Sequence, residues 1–357
     1  MVPDDRRERT RLQFYFFSVR PHELDFRQFL MEALRRKGHT VRHVHLARTM
    51  KVVGGNAGPV EFTGAAGFFA LIRFLRAAIG TPGRAVFLDS TGPYLPLRSL
   101  LLRSALGRGL WCYDIFDNLR YDYRGVLRLR ARLAIPLLSR LSPVQLTLSG
   151  ETLRLFPRAV HLDNAAHIGR IERREWNDRD LVLLSSVDER FDVEFVRCVA
   201  ASAPQSRLVV YGRASSPQSL DALCRERPNI VYRGEFSYGE IGAILAPFSV
   251  ALAPYAINRL TEFINPDKYY YFLNSGLEVI STDISQARRM RDRIHVARSP
   301  ADVPAILERL RRDPTARRNA SGPVLNWDQR ADEFLAIIAR ARPRLARPWP
   351  PSGRSAG

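Results

Sequence analysis

The sequence predicts an α/β protein built from two Rossmann-like, doubly wound domains facing a cleft, and three observations carry that expectation. A chain of 357 residues with 46% apolar content is long for one hydrophobic core and comfortable for two. Short apolar runs of strand character alternate with helix-period segments nearly throughout, as in parallel α/β sheets. The alternation is interrupted by the polar stretch GRIERREWNDRD (169–180) and then restarts.

In the first half, LQFYFFSV (12–19) reads as a buried strand, and Phe26, Phe29, Leu30, Ala33 and Leu34 then recur at helical spacing. Gly38 ends that helix and TVRHVHL forms the next strand. Further strands are expected at 85–90, 109–117, 144–149 and 159–164. In the second half, strands at 181–186, 207–212, 229–234, 249–255 and 277–282 alternate with helices near 192–203, 216–226 and 238–246, and with one after Pro266. WDQRADEFLAIIARAR reads as a helix, and the Pro-, Arg-, Ser- and Gly-rich end as a disordered tail. The domains expected are 1–168 and 169–325, followed by a helix at 326–342 and the tail at 343–357.

Composition excludes some classes. Cys112, Cys198 and Cys224 lie in separate segments without metal-ligand spacing, so they read as thiols of a reducing compartment. No GxGxxG or GxxxxGK[ST] phosphate loop occurs, which argues against dinucleotide and ATPase readings. The charged opening MVPDDRRERT shows no signal pattern and no apolar run reaches ~20 residues, so the expectation is a cytoplasmic protein, free or bound to a cytosolic surface such as the inner face of the membrane.

The net charge of +19 is uneven, with 27 Lys+Arg against 13 Asp+Glu in residues 1–170. A basic half meets something anionic or simply carries solvated arginines. Three stretches mix arginine with large apolar residues and hold no acid. They are 62–88 (Phe68, Phe69, Leu71, Ile72, Phe74 and Leu75 beside Arg73, Arg76 and Arg84), 98–110 and 124–141. Amphipathic helices of this kind lie in headgroup regions of anionic membranes, or else turn their leucines to the sheet. No nucleic-acid module is recognisable, and no nucleic-acid partner is expected.

Only Lys37, Lys51 and Lys268 are lysines among 55 basic residues, so the stretch INPDKYYYFLNSGLEVIST stands out. Asn265 suits a helix N-cap and Pro266 the first helical position. Lys268 then falls in the first turn, where a cation opposes the helix dipole unless an anion is held jointly by backbone N–H groups and the ammonium. Tyr269 to Leu273 would pack the helix and Gly276 end it.

This stretch resembles the P-x-K-x-x-E-Y-L-A-x-G-x-P-V-V-x-T segment of bacterial GT-B glycosyltransferases. SSVDERFDVEFVRCVAASAPQSRLVVYGR and RPNIVYRGEFSYGEIGAILAPFSVALAPY are similar to their donor domain, and CYDIFDN and LTLSGETLRLFPRAVHLDNAAHI to their acceptor half. The likeness is dense over 180–285 and looser over 10–170, and is nearest to exopolysaccharide transferases such as xanthan-type glucuronosyltransferases. The sequence departs from the family at its paired glutamates. Phe263 and Tyr271 hold those places, with Glu262 one position early, and Glu278 replaces the proline of P-V-V.

The resemblance implies a glycosyltransferase that uses a nucleotide-sugar donor, a UDP-sugar in the first instance, with a lipid-linked or saccharide acceptor at an anionic membrane and no cofactor. Asp178–Arg179–Asp180 precedes a strand, so a metal-independent mechanism is expected. Lys268, Arg213 after Gly212, and a helix N-terminus would meet leaving-group charge. Tyr255, Thr261, Glu262, Asn265, Pro266 and Tyr271 complete the donor-side candidates. Asp117 is the first choice of base, with Asp114, Asp89 and His22 as rivals. A non-catalytic GT-B-like subunit that binds a partner transferase or membrane is the alternative.

Overall fold

The computed structural model describes residues 11–21, 27–54, 58–79, 84–91, 94–107, 109–115, 125–171, 175–177, 179–319 and 325–341. They form two compact units. The first runs up to Thr147 and takes in Phe156–Leu162 and the chain from Asp328, whereas the second comprises Leu148–Leu155 and Asp163–Trp327. Where the sequence suggests one boundary at 168/169, the chain passes between the units several times, and the C-terminal helix groups with the first.

The first unit opens with β1 (Gln13–Ser18), buried from its second residue onward, as an interior parallel strand requires. The helix α1 (Gln28–Arg36) buries Leu30, Met31, Ala33 and Leu34, and Gly38 turns the chain at φ 85°. β2 (Thr40–Leu46) leads into an antiparallel pair, β3 (Thr49–Val53) and β4 (Val60–Thr63). Then come α2 (Gly64–Ile79), β5 (Ala85–Asp89), α3 (Pro96–Leu106), β6 (Leu110–Ile115), α4 (Gly125–Leu141) and β7 (Val144–Thr147). The short helix α5 (Gly150–Leu155) belongs to the second unit, and β8 (Val160–His161) returns to the first.

The first sheet has the order β4-β3-β2-β1-β5-β6-β7-β8 and is parallel from β2 to β8. The order in which successive strands are added to the sheet reverses between β1 and β5. One face of this sheet is aromatic: Phe17 stacks on Trp111 at 5.7 Å, and Phe87 lies 4.5 Å from the same indole. Phe68, Leu71 and Leu75 of α2 are buried in this core, so of the apolar residues that suggested lipid contact in that helix only Phe69 stands well out, beside the exposed Arg73 and Arg76. The helix period turned most of its apolar face to the sheet.

The second unit runs β9 (Asp180–Leu184), α6 (Val193–Ser202), β10 (Arg207–Tyr211), α7 (Pro217–Glu226), β11 (Ile230–Tyr232), α8 (Ile241–Leu245) and β12 (Val250–Ala253). It continues with α9 (Asp267–Asn274), β13 (Glu278–Thr282), α10 (Ser285–Arg289), β14 (Ile294–Ala297) and α11 (Asp302–Arg312). Its sheet is wholly parallel in the order β11-β10-β9-β12-β13-β14, the 3-2-1-4-5-6 order of a doubly wound nucleotide-binding domain. The switch point falls between β9 and β12.

Glu278, where the sequences this chain resembles carry proline, is almost fully buried. Its carboxylate lies 2.9 Å from His295 Nε2 and accepts the Asn319 N–H at 2.8 Å. The last helix, α12 (Trp327–Ala341), sets Phe334 5.7 Å from Phe14 and pairs Asp332 with Lys37 at 2.8 Å.

Candidate functional site

A cavity of about 220 Å³ opens beyond the carboxyl ends of β9, β10 and β11. Its position follows from backbone geometry at Gly212, which ends β10 at φ 139°. A Cβ there would sit 2.0 Å from the Ser185 carbonyl oxygen, so only glycine lets the two strand ends close on each other. The Val187 N–H then donates to the Arg213 carbonyl at 2.8 Å, and this fixes Ser186 and Arg213 at the rim. Gly234, at φ 87°, turns the chain after β11 and delivers Glu235 to the opposite wall.

The remaining wall is the start of α9. Pro266 has φ −63° and ψ 121°, so it is the cap residue and Asp267 the first helical one. This corrects the expectation that Asn265 caps the helix. Asn265 is committed elsewhere: its Nδ2 donates to Asp163 Oδ1 and to the Leu148 carbonyl, each at 2.9 Å, and its Oδ1 accepts the Tyr270 hydroxyl at 3.0 Å.

Lys268 does fall in the first turn, half-buried, with Nζ 3.1 Å from Asp267 Oδ1. Burial pushes the nearby Asp188 carboxyl up, but hydrogen bonds from Arg190 and the charges of Arg190 and Lys268 outweigh it and hold that acid below its usual value. Tyr271 closes the base of the cavity, 5.3 Å from the His167 ring and 6.2 Å from Tyr238. Burial, then the Asp267 and Tyr238 charges, raise the Tyr271 phenol far above its ordinary value, so it stays neutral.

The cavity thus brings together Gly212, Arg213, Lys268 and Tyr271 of the donor-side candidates. The others serve the surrounding loop. Thr261 is buried and donates to the Ala256 carbonyl, while its N–H reaches Asn258 Oδ1 at 3.0 Å. Glu262 accepts the Ser285 N–H at 3.3 Å and pairs with Arg288, which holds the start of α10. Tyr255 is buried edge-on against Tyr269 at 5.9 Å, and burial raises its phenol as well.

Glu235, Tyr238, Ser186 and Asp267 line the cavity without having been singled out in the sequence. The signal for Glu235 was its place directly after a parallel strand. Chemically the cavity offers two cations, two carboxylates, the N-terminus of an eight-residue helix and an aromatic floor. That set suits a diphosphate carrying polar substituents.

In the first unit, Asp89 and Asp114 both lie at the carboxyl ends of strands but are enclosed. Asp114 takes a two-pronged pair from Arg27, Nε and Nη2 each at 2.9 Å, with both side chains almost fully buried. Asp89 accepts from Thr91 Oγ1 at 2.7 Å, from Arg103 Nη2 at 3.0 Å and from Ser99 Oγ. With these neighbours both carboxylates brace the strand ends. His22, Asp117 and Asp178 lie outside the described residues.

No protein-family model matches the chain, and no curated protein sequence does. Solved structures do. The catalytic domain of starch synthase IV from Arabidopsis thaliana, bound to ADP and acarbose, has a TM-score of 0.63 at 10% identity, over 93% of this chain and 99% of that one. HepE of Anabaena, in complex with UDP and glucose, gives 0.61 at 13% identity over 94% and 100%. The pneumococcal O-GlcNAc transferase GtfA, with UDP and GlcNAc, gives 0.62 at 8% over 94% and 98%. TarM gives 0.57 at 11%, and the chain spans only 64% of its length. The protein has the GT-B fold. Each of its units is a Rossmann-like layer of that fold, and the cavity lies at the carboxyl ends of the strands of the second.

Proposed function

We propose that the protein is a glycosyltransferase that moves a sugar from a nucleotide-sugar, a UDP-sugar in the first instance, to a lipid-linked or growing polysaccharide acceptor at the cytosolic membrane face. The observation that carries this reading is the convergence of Arg213, Lys268 and the α9 N-terminus on one cavity at the strand ends of a 3-2-1-4-5-6 sheet. Neighbours of the same fold crystallised with UDP or ADP and sugars add support.

In the proposed reaction the acceptor hydroxyl oxygen bonds to the anomeric carbon as the bond from that carbon to the diphosphate oxygen breaks. Asp117 takes the hydroxyl proton, and the nucleoside diphosphate leaves with the electron pair. Negative charge that grows on the leaving oxygen is met by Lys268 and Arg213 without a metal, at groups already in place before the bond breaks. One observation favours the second reading, a non-catalytic GT-B-like subunit. Tyr271 puts a neutral phenol where related enzymes carry a glutamate, and Glu262 is tied to Arg288.

Thermal-shift screening against UDP-, GDP- and dTDP-sugars tests the proposal, because a ligand at 100 times its Kd stabilises by about 2.7 kcal/mol. Transfer of labelled sugar to a lipid-extract acceptor then separates enzyme from subunit. No shift with any nucleotide-sugar would overturn both donor binding and transfer.

A further inference from the structure

The helix α4 (Gly125–Leu141) is apolar on two sides. Ala131, Ala134, Ile135 and Leu138 face inward and are buried. Val126, Leu129, Leu133, Leu137 and Leu141 are exposed, Leu133 to 68% and Val126 to 66%. At about 100° per residue these five fall within one arc of about 120°, turned away from the buried set. A globular helix needs one apolar stripe to pack, so the second has no use within this unit. The neighbouring helix α3 adds Leu97, 68% exposed, and Leu101 to the same kind of surface.

The charge on these helices selects the occupant. Arg128, Arg130, Arg132 and Arg140 are exposed on α4, and the sequence from 123 to 150 contains no acid. A second copy of the chain meeting this face through a two-fold axis would set arginine against arginine. An anionic bilayer offers what the face lacks, acyl chains for the leucines and phosphates for the guanidinium heads that reach past them.

We infer that the exposed leucine face of α4, continued by Leu97 and Leu101 of α3, is the surface on which the first unit rests on anionic lipid. The inference deepens the proposed function, on which it rests for the reason a membrane is needed, and it names the contact. The protein lies on the bilayer by this face, with leucines at headgroup depth and arginines among the phosphates. Phe69 and α2 are not required, since the other large apolar side chains of that helix are buried or half-buried.

The test is co-sedimentation of the full chain with phosphatidylcholine vesicles and with vesicles that also contain phosphatidylglycerol. The expected result is binding to the second only, weakened by salt. Arg128→Gln and Arg132→Gln should each weaken it about fivefold. The paired Leu129→Asp/Leu133→Asp variant, altered only at exposed positions, should abolish it. Its thermal melt and nucleotide-sugar shift should match the unsubstituted chain, which shows that loss of binding is not loss of fold.

The inference is overturned if neither vesicle binds, if anionic vesicles bind the Leu→Asp variant as well as before, or if the face proves to hold a solution dimer that the variant splits. Vesicle binding without any nucleotide-sugar shift would sink the transferase reading and leave this surface standing. A nucleotide-sugar shift without vesicle binding would do the reverse.

Discussion

Asp114→Asn separates a structural carboxylate from a catalytic one. The Asp114 and Arg27 side chains are 0% and 1% exposed and share two parallel bonds of 2.9 Å. Asparagine offers a single acceptor oxygen and turns an NH₂ toward the guanidinium, so one bond is replaced by a donor–donor contact. The Arg27 charge then stays in the core without the charge of Asp114. Removing one partner of a buried pair costs about 3–5 kcal/mol, and the surviving bond places this variant near 3. At about 2–4 °C per kcal/mol for a unit of this size, the melting temperature of the first unit should fall by about 6–12 °C.

The double variant Arg27→Met/Asp114→Leu, which removes both charges, should recover most of that loss. Melts of the three chains, with transfer rates measured well below the lowest Tm, decide the matter. A variant Asp114→Asn that melts like the unsubstituted chain but has lost transfer would refute the reasoning and make Asp114 the base.

Further outcomes follow from the second unit and from the acceptor side. Gly212→Ala, with its Cβ 2.0 Å from the Ser185 oxygen and φ at 139°, should lower stability by about 1–3 kcal/mol and weaken nucleotide-sugar binding, read by melts and titration calorimetry. Asp117→Asn should cut transfer by about 10²–10⁴ and leave the nucleotide-sugar shift unchanged, because a base acts on the acceptor. Asp188 is held below its ordinary pKa, so its contribution to stability is complete above the unfolded value, about 3.9, and is lost as pH falls through the lowered folded value. Asp188→Asn should therefore flatten the acid limb of Tm against pH and leave its shape at neutral pH alone.

Much of the fold was legible because parallel strands buried on both faces are written as continuous apolar runs, as in QFYFFS and LVVY. The antiparallel pair at 49–63 was not, since its strands are short and half exposed. Lys268 stood out in the sequence because a cation in a first helical turn contradicts the local dipole, and the structure sets it in that turn and on the cavity. Asn265 misled for the opposite reason. Its N-cap signal is local, whereas its partners Asp163 and Leu148 lie more than a hundred positions away and take its side chain. Asp114 and Glu262 follow the same rule, with partners 87 and 26 positions distant that no local pattern announces. The two-sided apolarity of α4 was visible as arginine among leucine, but which leucines face outward needed the structure.

The central claim is that Lys268 and Arg213 hold the diphosphate of a nucleotide-sugar, and the direct measurement is calorimetric titration of UDP-sugar into the unsubstituted chain and into Lys268→Ala, with transfer rates alongside. Saturable binding by the unsubstituted chain is expected. The variant should keep an unchanged melt, with transfer slowed by about 10²–10³, or about 2.7–4 kcal/mol, as leaving-group charge goes unmet. Equal turnover by the two chains, or UDP-sugar affinity that neither Lys268→Ala nor Arg213→Ala alters, would contradict it.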